Sequence, residues 1–297
     1  MWRLSMDSGM KIPPIEGKMS VSAPTVPFFS DPRGNRLESW TTRSIVTGHE
    51  LWLRGPDQVA RQVAAADPEY RPYSPDATAG PVWTHALASP RVSMLPEVAS
   101  LLNLLSQILT LPEPPNVDSA LCLDWYKIPV AGVDPYQWQN TRTAELVSSG
   151  KYRFRYQSSM QNQAGRTLTD ILCDVINHDV LLQHANVILD VPGHDSKRYV
   201  SFGSRLAEAV AYRRGTPMIR VSSKSEFRPE AKNLNSTQKA SILEDEFSVS
   251  PGASGKSALI IDDVFQSGSS MAAVAKAARA SGVVSIQGLC CVRTMRR

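Results

Sequence analysis

Residues 257–282 read SALIIDDVFQSGSSMAAVAKAARASG, and the fold class turns on this stretch. Ala258, Leu259, Ile260 and Ile261 form an unbroken apolar run of the length expected for a parallel strand buried on both faces. The run ends on two adjacent carboxylates, Asp262 and Asp263. A small-residue loop follows, Gln266, Ser267, Gly268, Ser269 and Ser270. The alanine-rich segment 271–281 then reads as a helix stopped by Gly282.

This order has a chemical use. Free amides at a helix N-terminus, together with the helix dipole, favour a phosphate. Gly268 lets the backbone come close to an anion, and Ser267, Ser269 and Ser270 supply hydroxyl donors. Ligands of open α/β sheets bind at the C-terminal strand ends, which is where the two carboxylates fall. Carboxylates repel phosphate, so the pair suits sugar hydroxyls, and ribose 5-phosphate has both halves. The plainer alternative is a strand–turn–helix whose serines only cap the helix.

Residues 259–270, LIIDDVFQSGSS, resemble the phosphoribosyl-pyrophosphate (PRPP) motif of the type I phosphoribosyltransferases: four apolar residues, two acids, then a Thr/Ser-Gly-Thr/Ser loop. The sequence departs from it at Gln266, where many members carry Thr. The resemblance covers about residues 120–297 and is strongest to the ComF-like competence-protein branch. It implies that Asp262 and Asp263 hold the ribose and steady charge on its C1, and that 266–270 bind the 5-phosphate.

Upstream, 186–191 (NVILDV) reads as a core strand. It delivers Pro192, Gly193, His194, Asp195, Ser196, Lys197 and Arg198 to a helix over 204–214. The resemblance makes this the pyrophosphate loop, with Gly193 for a tight turn and Lys197 and Arg198 as cationic donors. His194 offers a general acid or a ligand contact; the alternative is a solvated surface turn. A third strand over 217–222 precedes the polar segment 223–236, with Lys224, Arg228 and Lys232. That segment stands where the family has a flexible catalytic loop. The ComF-like pattern continues at Leu234, Asn235, Ser236, Lys239 and Phe247, but Ile242 replaces its Asn.

Further strands are expected over 120–128 and 283–292, and helices over 138–151 and 166–180. The basic–aromatic alternation 152–156 (YRFRY) reads as a strand with one basic face. Such a face serves an edge strand or a contact to single-stranded nucleic acid. Residues 1–38, with five prolines, read as extended or partly disordered. Residues 39–115 read as a small, mainly helical region of unassigned role: a hairpin around Gly48, a helix over 56–66, a helix over 94–111, and a linker at 112–115. His49, His85 and the tryptophans there read as packing or surface residues.

The fold expected is α/β: a mostly parallel sheet flanked by helices over 116–297, with the partly helical N-terminal region in front of it. Residues 1–120 carry 10 lysines and arginines against 12 acids, and the remainder 22 against 16. The basic surplus beside the motif suits a polyphosphate and suits nucleic acid equally. Cys122, Cys173, Cys290 and Cys291 lack metal-ligand spacing and read as buried thiols. No apolar run approaches a membrane span, and no signal-peptide layout opens the chain, so the expected location is cytoplasmic. The resemblance implies PRPP or a nucleoside 5′-monophosphate as ligand, with Mg²⁺ held through the PRPP, and is compatible with a homodimer. Two functions stay open at this point. One is an enzyme transferring phosphoribosyl to or from a nitrogenous base. The other is a non-catalytic module that senses PRPP or nucleotides, or serves DNA handling.

Overall fold

The computed structural model describes residues 35–73, 83–153, 158–194, 199–225, 241–243 and 245–295. Outside them lie residues 1–34, most of the basic–aromatic strip, and Lys197, Arg198, Arg228 and Lys232. The ComF-like positions 234–236 and 239 lie outside as well. The expected hairpin forms: β1 (Ser39–Ile45) and β2 (Gly48–Arg54) pair antiparallel from Ser39 with Arg54 to Ile45 with Gly48. α1 (Asp57–Ala66) follows Pro56 and buries Val59, Gln62 and Val63, one stripe at helical spacing. β3 (Arg71–Pro72) and β4 (His85–Ser89) complete a four-stranded antiparallel sheet in the order β1–β2–β4–β3. Only its first hairpin is legible in a region read as mainly helical.

The helix expected over 94–111 is shorter. α2 (Pro96–Leu105) stops, and Leu109–Thr110 become β5, paired antiparallel with β6 (Ser119–Trp125) at Cys122 and Leu121. A continuous apolar run fits a buried strand as well as a helix, so periodicity could not mark the switch. Residues 112–115, read as a linker, join these two strands of one sheet.

Between β6 and the next strand run α3 (Arg142–Ser148), a π-helical turn (Ser149–Arg153), α4 (Ser158–His178) and α5 (Val180–Gln183). Thr141 fixes the start of α3, its side chain accepting from the Ala144 amide at 3.1 Å, so the helix does not reach back to residue 138. Tyr152 and Arg153, expected in a strand, belong to the π turn. Helix continuing from the Thr141 cap outweighs a two-residue alternation.

β7 (Val187–Asp190), α6 (Phe202–Arg214), β8 (Met218–Ile219), β9 (Ser222–Ser223), β10 (Phe247–Ser248), β11 (Ser257–Phe265), α7 (Ser269–Ala280) and β12 (Ser285–Arg293) complete the chain. The main sheet has six strands in the order β5–β6–β12–β11–β7–β8, all parallel except β5. β8 is shorter than the strand expected over 217–222, and beyond it the Val221 amide donates to Asp190 at 3.0 Å.

Alternation along the strands feeds two cores. Leu259 and Ile261 of β11, Leu289 and Cys291 of β12, and Leu121 and Leu123 of β6 face a cluster shared with α3, α4 and α6. Leu37, Leu51, Leu53, Val59 and Leu101 belong to that same cluster. Ala258, Ile260, Ile286, Cys290, Ala120 and Cys122 face the second cluster, beneath α7. This explains why the motif strand reads as unbroken apolar residues: both of its faces are covered. All four cysteines are buried and unpaired. No helix among the described residues is long and apolar enough to cross a membrane.

Gly48 shows how tightly the smaller sheet is closed. Its φ is 142°, and a Cβ there would stand 2.1 Å from the Ser89 carbonyl oxygen. Backbone cannot yield as a flexible side chain does, so Gly48→Ala should displace β4 from β2. The expected cost is more than about 1 kcal/mol, a fall in Tm of at least ~2–4 °C by thermal unfolding. An unchanged Tm would contradict the packing described.

Candidate functional site

Because β6, β7, β11 and β12 are parallel, their C-terminal ends open at one sheet edge. A cleft of about 550 Å³ lies there, lined by residues at and just beyond the ends of these strands: Tyr126, Pro192–His194, Asp262–Met271 and Thr294. The first turns beyond α3 and before α6 complete its wall with Lys151, Tyr152 and Ser201. The acid pair, the 266–270 loop and the described part of the 192–198 loop therefore face one space. Lys224 does not line it; that residue sits beside β10, its amide donating to the Glu246 carbonyl at 2.9 Å.

At the end of β11, Asp262 is half-buried and Asp263 is buried. The Asp263 amide donates to Asp262 Oδ1 at 2.8 Å. The first turn of α6 presses on both: a Cβ on Gly203 would stand 3.3 Å from Asp262 Oδ1 and from the Asp263 amide nitrogen. Burial, and next the charge of Asp263, push the Asp262 carboxyl up from an ordinary 3.8 to about 7, against the pull of Lys151 and the Asp263 amide. Lys151 Nζ lies 2.8 Å from Asp263 Oδ2. Burial pulls the Lys151 pKa down, but the charge and hydrogen bond of Asp263 outweigh it, and the net direction is up.

Gly268 opens α7 with φ 77°, and a glycine N-cap brings no side chain to cap the helix. The first turn of this twelve-residue helix, Ser269 to Met271, lines the cleft without a side-chain cap on its amides, and the Ser267 and Ser269 hydroxyls lie 2.9 Å apart there. The structure gives Gly268 a second reason: a Cβ would meet the Phe265 ring and Pro114 at 2.9 Å. Its position is buried, so substitution disturbs packing as well as the loop. Gly193 is as closely held, with a Cβ there 3.0 Å from Ser201 Cβ. Ser201 caps α6 by accepting from the Ser204 amide at 3.0 Å.

The sequence does not mark Lys151 or Tyr126 as site residues, and it places Tyr152 in the basic–aromatic strip rather than beside the acid pair. Lys151 reads in sequence as the basic end of a helix, which is commonplace, and nothing local ties it to Asp263. The one faint signal is Gly150, which in the structure lets the π turn approach α6: a Cβ there would fall 2.3 Å from the Phe202 ring.

Among the described residues no group of three or more His, Cys, Asp or Glu could hold a metal ion.

No family model matches the chain, and no curated protein matches it. Among solved structures, a purine phosphoribosyltransferase from Pyrococcus horikoshii OT3 is similar over 43% of this chain and 82% of its own, at 14% identity and a TM-score of 0.29. A likeness this slight carries no argument, and the site stands on its own geometry.

The raised carboxyl gives a signed expectation. A group whose folded-state pKa exceeds its unfolded one stabilises the fold when protonated. That contribution is complete below about 3.8 and is lost as pH rises through about 7. Asp262→Asn should remove the loss, raising Tm by about 2–4 °C over the wild type near pH 8 and by less near pH 5. A Tm difference independent of pH would contradict the burial of this charge.

Proposed function

We propose that the cleft binds a phosphoribosyl ligand, PRPP or a nucleoside 5′-monophosphate, and that the chain transfers the phosphoribosyl group to or from a nitrogenous base. The observation that carries the reading is the meeting, in one cleft, of two adjacent carboxylates with a glycine–serine loop at a helix N-terminus that has no side-chain cap. Phosphate seeks the second and sugar hydroxyls the first, and the two are joined by only a few residues of chain. The motif resemblance at 259–270 points the same way.

In this reading the 5-phosphate sits against the amides and hydroxyls of 267–270. Asp262 and Asp263 accept from the ribose hydroxyls. Pyrophosphate lies toward Gly193, His194 and the following loop, where Lys197 and Arg198 are the proposed donors. When the C1–pyrophosphate bond breaks, its electron pair leaves with the pyrophosphate and C1 becomes cationic. The acid pair faces that charge across a partly dry site, and a ring nitrogen of the base then adds to C1, its N–H proton passing to solvent. Mg²⁺ enters as counter-ion of the polyphosphate, as part of the substrate.

The alternative, a non-catalytic sensor on the same cleft, differs in what the carboxylates must do. In a catalyst their charge counts most in the transition state; in a sensor only ground-state hydrogen bonds matter. The Asp262→Asn/Asp263→Asn variant should lose about 10²–10³ in rate of pyrophosphate release from Mg²⁺-PRPP, measured with a panel of purine and pyrimidine bases. Its binding should weaken less, by about 1–2 kcal/mol in calorimetry, because amides still meet hydroxyls. A wild-type protein that binds Mg²⁺-PRPP and releases no pyrophosphate with any base leaves the sensor. One that binds neither PRPP nor a 5′-monophosphate overturns both readings.

A further inference from the structure

Among the described residues lining the cleft, Lys151 is the one lysine or arginine. Its place is built with care for a residue on a helix end. It stands in the middle of the π turn, a local widening of the helix that often marks functional positions. Gly150 beside it is closed against Phe202 of α6, and the Gly150 carbonyl accepts from Gln161 Nε2 of α4 at 2.7 Å. Two helices thus fix the backbone from which Lys151 reaches Asp263. The Lys151 side chain is still 31% exposed toward the cleft, whereas that of Asp263 is 8% exposed.

We propose that Lys151 is the positioning residue of the acid pair: its ion pair with Asp263 sets the orientation and charge in which Asp262 and Asp263 meet a ribose, and so ties ligand affinity to pH. For its ligand the inference rests on the phosphoribosyl reading; for the charge coupling it does not.

The surrounding groups leave this role to Lys151. On β12, Cys290 pairs in register with Asp262 and Cys291 follows it on the opposite face, while Cys122 lies beyond them on β6; burial raises all three thiols and keeps them neutral. Tyr152 shares the π turn, and its ring lies 5.7 Å from Lys151 Nζ. Tyr126, after β6, has its pKa raised by burial first and next by Tyr152, so it too is uncharged. Asp190 on β7 is turned to Arg220 and the Val221 amide. α6 offers the pair backbone at Phe202–Gly203, while its Arg205 bonds to Gln161. His194 lines the cleft after β7. Two adjacent carboxylates facing an anionic ligand need a cation nearby, or one must take a proton. Lys151 supplies that cation to Asp263, and Asp262 is left as the member whose charge follows pH.

The test compares wild type, Lys151→Gln and Lys151→Arg by two readouts. One is ¹³C NMR titration of the aspartate carboxyl carbons, with Asp262→Asn to assign the signal. The other is the affinity for ribose 5-phosphate measured from about pH 5 to 9. The ligand's own phosphate titrates alike with every variant, so differences between curves belong to the protein. In the wild type the Asp262 signal should titrate near 7, and affinity should fall as pH drops through that value. In Lys151→Gln the midpoint should rise by about one unit or more, with roughly tenfold weaker binding at neutral pH. Lys151→Arg should stay within a few tenths of a unit of the wild type. Should Lys151→Gln fail to fold, Lys151→Met, which keeps the apolar stem, carries the same comparison. A midpoint and affinity profile unchanged in Lys151→Gln, or shifted as far in Lys151→Arg, would overturn the inference and leave the lysine a structural tie. If ribose 5-phosphate binds no variant, the phosphoribosyl reading fails, and the carboxyl titration alone decides the role of Lys151.

Discussion

Two neighbouring carboxylates at the end of a strand buried on both faces cannot both be left charged without a partner. Removing one carboxylate from water costs several kcal/mol, which only a close, hydrogen-bonded counter-charge in the same water-poor place, or a proton, offsets. The cleft answers this with two different environments. Asp263 meets Lys151 at 2.8 Å. Asp262 receives the Asp263 amide, and burial and its neighbour's charge lift it toward neutrality. The rest of the site is arranged so that these environments exist: the second residue of α6, Gly203, packs against the pair, and the π turn is held where Lys151 can reach it.

Glycine is placed where backbones must come close, and the reasons differ from site to site. Gly203 and Gly150 bring helices against the acids and against Phe202. Gly268 does two things, supplying a left-handed residue before α7 and vacating space for Phe265 and Pro114. The glycine–serine loop is therefore continuous with the core beneath it. The same holds at larger scale: residues 35–111 contribute leucines and valines to the cluster under the main sheet, and β5 extends that sheet by one antiparallel strand.

What could be read in the sequence was what local chemistry specifies. The β11–loop–α7 unit was legible because strand length, acids, glycine and helix composition agree within one short stretch. β7 and its glycine turn, α6, β12 and the β1–β2 hairpin were legible for the same reason. β5 was not, because an apolar run does not say whether it pairs with a strand or continues a helix. The β3 and β4 strands gain their identity only by pairing with β2. Lys151 was invisible as a site residue because its partner is far away in sequence, and the approach of the two depends on Gly150 fitting against Phe202 and Gly203 fitting against Asp262. Lys197 and Arg198, the cations the sequence offered, fall outside the described residues, and Lys151 is the cation the described cleft contains.

In the proposed function the glycine–serine loop and the first turn of α7 receive the phosphate of a sugar phosphate. Hydrogen–deuterium exchange of the wild-type protein with and without saturating ribose 5-phosphate tests it directly. Slowed exchange of the amides at 268–271, with a smaller effect at 192–194, is the predicted result. Saturable binding that leaves the amides of 268–271 exchanging at their ligand-free rate would contradict it.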